Sequence, residues 1–159
     1  MVQRRDTLLG LAPRDVVRWG AAVTLMWASV EKWAYPDWSY PLLHAHTDIT
    51  MGLDPRFYMV AAGIVEFSLS FALLWTPLVR RIAAIVLMSM FVSAVFEFGK
   101  IDAIGHLLIL VLLLVIAADE QPSRRLKPIM APVWYSLALG MTILAYYVAH
   151  ALLYGTAVV

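Results

Sequence analysis

From Val16 almost to the C-terminus, apolar runs follow one another, divided by short polar turns, and several are long enough to cross a bilayer as helices. This pattern constrains the fold more than any single motif does. The composition agrees with it: 62% of the residues are hydrophobic and 14% charged, where a soluble domain carries about 25% charged residues. The expected class is an all-α membrane protein, with a four-helix transmembrane bundle plus a fifth transmembrane helix. The 159 residues would form a single transmembrane domain. The spans are expected at 16–33, 57–75, 82–97, 104–118 and 131–154, with an outer loop over 34–54.

Local signals set these bounds. The first run follows a basic start but is too long for the apolar core of a signal peptide, and no small-residue cleavage site follows it, so it reads as a retained span. At its far end Trp33, Tyr35, Trp38 and Tyr40 form the kind of aromatic belt found at a membrane–water interface. Pro36 and Pro41 argue against continuous helix in the loop, and Asp54-Pro55 is a helix start, with aspartate as cap and proline at the first position. Pro77 with Arg80 and Arg81 reads as a tight turn before the third span.

Charge supplies an orientation. With five spans, the N-terminus, the Arg80-Arg81 turn and the connector 121–127 share one side. That side holds nine of the twelve basic residues but four of the eleven acidic ones. Basic loops stay in the cytoplasm, so the N-terminus is expected inside and the C-terminus outside. All four histidines then fall toward the outer face, together with Glu31, Lys32, Glu97, Lys100 and Asp102, while Glu66 lies deeper. Any site is therefore expected in the outer half.

The stretch from Glu97 to His106 puts four ionisable groups into ten residues, and such groups are costly near hydrocarbon unless paired or functional. Asp102 and His106, four apart, would share a helix face, where the carboxylate fixes the imidazole tautomer and suits it to proton transfer. The plainer reading makes Asp102 a helix-start cap. Glu66 falls about 14 Å into the second span, near the middle of the core. It must face the bundle and either shed its charge or pair with Lys32, Lys100 or a histidine. Glu66, His106 and Asp102 are thus the candidate proton-handling groups, against the alternative of a structural interhelical hydrogen bond. Glu31, Lys32, Glu97 and Lys100 would line a polar pocket beside them or simply tie the helices by ion pairs.

His44-Ala45-His46 is a fragment that copper or zinc would accept, if joined by His106, His150 or carboxylates. Haem is a poor fit, because His106 and His150 are the only helical histidine pair at similar depth. With no cysteine, disulfides, thiolate metal sites and iron–sulfur clusters are excluded. No phosphate loop, nucleophile triad or nucleic-acid signature is present.

Several outer segments resemble the DoxX-like family of small bacterial integral membrane proteins. The matching residues are Glu31-Lys32-Trp33 with Tyr35-Pro36, Val65-Glu66-Phe67, and Phe98-Gly99-Lys100-Ile101-Asp102-Ala103-Ile104-Gly105-His106-Leu107. The resemblance covers roughly residues 16–118 and leaves the fifth helix as an addition. It implies a bacterial inner (cytoplasmic) membrane protein near quinone-linked redox chemistry, an accessory subunit sooner than a stand-alone enzyme. Its partners would be the lipid bilayer and other membrane or periplasmic subunits, and a quinone head group would sit in the outer polar pocket. Family members that use a cysteine have no counterpart here.

Overall fold

Proline sets most of the helix starts. In a computed structural model of the protein, Pro13, Pro55 and Pro77 each open a long helix, where the missing N–H costs no hydrogen bond. The structure describes residues 12–98, 100–120 and 130–154; for Trp38, 94–98, 100–103 and Tyr154 it describes the backbone alone. Helix α1 runs Pro13–Ala34. A short 3-10 turn, Pro36–Ser39, and helix α2, Tyr40–Ala45, follow it. The longer elements are then α3 at Pro55–Ala72, α4 at Pro77–Phe98, α5 at Lys100–Ala118 and α6 at Ala131–Tyr154. The described residues form helices and turns, with no strand.

The helix starts shift two expectations. Because Pro77 occupies the first helical position, Arg80 and Arg81 lie in the opening turns of α4 and not in the loop before it. Because α5 starts at Lys100, His106 stands nearly two turns into its helix. The expected connector 121–127 lies outside the described residues. The loop expected over 34–54 contains two short helical pieces, with Pro36 opening the first and Pro41 in the first turn of the second. Met51 and Gly52, both with positive φ, then turn the chain back toward α3.

Helices α1, α3, α4 and α5 close a ring in which each packs on the next, and α5 returns to α1. Small residues allow this close approach: Ala21, Ala22 and Ser29 on α1, Ser70 on α3, Ala83 and Ala84 on α4 are all buried. Gly63 is the tightest point. A Cβ there would stand 2.2 Å from Trp33 Nε1 and 2.9 Å from the Ser29 carbonyl. Leu25, Val30, Phe67, Leu87 and Leu113 fill the interior.

Helix α6 lies outside this ring, on α1 and α3. Tyr135 sets its edge against Phe67 and Phe71, with ring centroids 5.4 and 5.3 Å apart, and its hydroxyl is 2.9 Å from Ser68 Oγ. Tyr146 packs beside Trp27 at 5.3 Å. The architecture is thus a four-helix unit with one helix added.

Large apolar side chains face outward on every long helix, including Trp19, Phe57, Ile82, Leu108 and Leu152, while Arg18, Glu66 and Arg80 are buried. One described segment, Ala131–Leu153, is long and apolar enough to cross a membrane; Ile104–Ala118 is apolar but shorter. Charged residues inside α1, at Arg18, Glu31 and Lys32, and at the start of α4 keep those helices more polar than α6.

Candidate functional site

Ser70 and Gly63 bracket Glu66 on the face of α3 that meets α1, so a carboxylate at this position is directed into the helix–helix seam. Glu66 is 3% exposed. Its Oε2 lies 2.5 Å from Nζ of Lys32, which reaches back from the last turn of α1. Its other oxygen, Oε1, is buried with no hydrogen-bond partner. A buried acceptor left unsatisfied costs about 1–3 kcal/mol, so native interiors hold few of them. The pair therefore combines a charge-assisted contact on one oxygen with an unfilled acceptor on the other. Ser70 Oγ donates to the Glu66 backbone carbonyl one turn back in α3 and not to the carboxylate.

Beside the pair, the loop and the start of α3 line an open surface cleft of about 490 Å³. Trp33, Asp37, Tyr40, His44, Asp54 and Arg56 are among its lining residues. Trp33 links the two levels: it follows Lys32 in sequence, lines the cleft, and donates its Nε1 hydrogen to the Val60 carbonyl at 3.1 Å. Asp54 is held in place by its capping role, with Oδ1 accepting from the backbone N–H of Arg56 and Phe57. From Val60 at the cleft floor to Glu66 is about 9 Å along α3.

The other sequence candidates are dispersed. His106 stacks on Phe91 of α4 with ring centroids 5.0 Å apart. Helices α3 and α5 stand across the ring from each other, and among the described residues Glu66 pairs with Lys32 of α1 whereas His106 meets Phe91 of α4. The side chains of Glu97, Lys100 and Asp102 lie outside the described residues. Glu31 is half-buried beside Lys32. His44 lines the cleft, whereas His46 ends α2, donating its N–H to the Leu42 carbonyl. Among the described residues no group of three or more His, Asp or Glu is arranged to hold a metal ion.

At the opposite end sits a cluster that sequence reasoning attributed to topology alone. Arg18 of α1 and Arg80 of α4 both reach Oδ2 of Asp119, just beyond α5, at 2.5 and 2.9 Å. Asp15 adds a weaker contact to Arg18 at 3.6 Å. Arg18 is 3% exposed and Arg80 fully buried. Arg81 caps the end of α5, donating Nε to the Ala117 carbonyl at 3.1 Å and pairing with Glu120 at 2.9 Å. The available signal was Arg18 itself, a charged residue inside an apolar run that demands a partner.

Comparison with protein-family models, with curated proteins and with solved structures gives no match. The likeness to DoxX-like proteins thus rests on the quoted residues, and function has to be argued from the site.

Proposed function

We propose that the chain is a polytopic inner-membrane protein whose five long helices span the bilayer, with the Lys32–Glu66 pair as a proton-handling station in its outer half. Its role would be that of a DoxX-like accessory subunit in a membrane redox system, with the pair facing a quinone head group. The observation that carries this is the buried, unpartnered Oε1 of Glu66 beside a charged contact on Oε2. An oxygen in that state has room for a proton or for a donor from a ligand, and Lys32 keeps the opposing charge in place when the proton leaves. The outward apolar side chains and the inward polar ones favour a lipid surround. In that accessory role, electrons would come from a partner subunit.

Glu66→Gln keeps the shape and replaces the carboxylate by an amide. In proteoliposomes containing the intact redox complex, it is expected to lower quinone-linked turnover by about 10²-fold or more, as loss of a proton-transfer group does. Unchanged turnover at unchanged protein level would sink the proposal. A purely structural membrane subunit is the second reading, favoured by the Arg18–Asp119–Arg80 cluster that joins three helices. It predicts less assembled protein from Glu66→Gln and normal turnover per assembled complex.

A further inference from the structure

The cleft over α3 is not used by the Lys32–Glu66 station, yet its lining is chemically particular. Asp37 and Asp54 bring two carboxylates, and Oδ2 of Asp54 stays outside the capping bonds that Oδ1 makes. Trp33 and Tyr40 bring rings whose faces attract cations. Arg56 brings five N–H donors in a fork suited to phosphate, and His44 at least one more. Groups for a cation and groups for a phosphate therefore share one cleft. An uncharged quinone ring would leave both sets unused, and an anionic head group would meet the two carboxylates.

The cleft also opens onto an apolar track. Val60 lines it, and Phe57, Val60 and Ile64 are exposed on one face of α3, spaced three and four residues apart. A ligand with a polar head in the cleft would lay a hydrocarbon tail down this stripe. We infer that the cleft binds the head group of a zwitterionic phospholipid bearing a primary ammonium, phosphatidylethanolamine in chemistry. Its ammonium lies against Asp37, Asp54 and the two rings, its phosphate against Arg56 and His44, and one acyl chain along Phe57, Val60 and Ile64. The inference rests on the membrane reading above, but not on the proton-handling role of Glu66.

The test uses full-length protein in detergent, given mixed micelles containing phosphatidylethanolamine or phosphatidylglycerol and read by native mass spectrometry. One phosphatidylethanolamine is expected to stay bound, with phosphatidylglycerol retained at least tenfold more weakly. The exposed double variant Asp37→Asn plus Arg56→Gln should lose retention about tenfold, whereas Glu66→Gln should keep it. Soluble phosphoethanolamine should fail to displace the lipid, because it lacks the tail. Equal retention by the double variant, a preference for phosphatidylglycerol, or displacement by soluble phosphoethanolamine would each overturn the inference. Protein that stays in solution without detergent would instead overturn the membrane reading itself.

Discussion

At the scale of single residues, the seam between α1 and α3 is the most sensitive place in the molecule. Gly63→Ala would force a methyl group against Trp33 Nε1 and the Ser29 carbonyl, pushing apart the two helices that hold Lys32 and Glu66. Overpacking of this kind costs about 1–3 kcal/mol, read as a lower melting temperature in detergent. Gly140→Ala in α6 meets open space; it is expected to be neutral or to gain about 0.5–1 kcal/mol from helix propensity. If both variants melted alike, the close approach at Gly63 would be refuted. Glu66 was legible in the sequence because an acid in the middle of an apolar run has to face inward and find company. The cleft residues Asp37, Tyr40 and Arg56 were not legible: nothing in a polar loop says which of its side chains the backbone turn at Met51 and Gly52 will gather.

At the scale of elements, proline and aspartate marked the helix starts well, and Asp54 caps α3 as its sequence context implied. What the chain could not reveal was rotation. Asp102 and His106 share a helix by spacing, but the partner of His106 depends on which way α5 turns, and the ring at its side is Phe91. The same ignorance hid the cluster at the other end, where Arg18, Arg80 and Asp119 come from three segments far apart in sequence. Their convergence gives an energetic contrast. Asp119→Asn would remove the carboxylate that two buried guanidiniums share; a buried pair that loses one partner costs about 3–5 kcal/mol, reduced here by the Asp15 contact that Arg18 keeps. Arg81→Gln breaks an exposed pair with Glu120, and exposed pairs contribute about 0–1 kcal/mol. Denaturation of the two variants side by side should separate them clearly, and similar losses would show that the buried cluster is no lock.

For the molecule as a whole, hydropathy anticipated an all-helical chain with five long apolar segments, and the DoxX-like resemblance implied the division into four helices and an added fifth. They did not anticipate how unequal the helices are, because hydropathy sums a segment without asking which residues a neighbour will cover. The absence of cysteine makes the proposed orientation directly testable. Asp48→Cys, in the outer loop, should react with a membrane-impermeant maleimide added outside intact cells, while Glu120→Cys should react only after the membrane is opened. Labelling of both from outside would reverse or abolish the proposed topology.

That inequality bears on how the protein is made. Helix α6 packs on the outside of the ring through Tyr135, Leu139, Ile143 and Tyr146, and it is the described helix that is long and apolar enough to enter lipid unaided. Two charges of α1 meet partners from later in the chain: Arg18 gains Asp119 once α5 has been synthesised, and Lys32 gains Glu66 once α3 has. If the helices span a bilayer as proposed, the early segments would wait for partners not yet translated. On that reading, assembly would be cooperative for the ring and independent for α6.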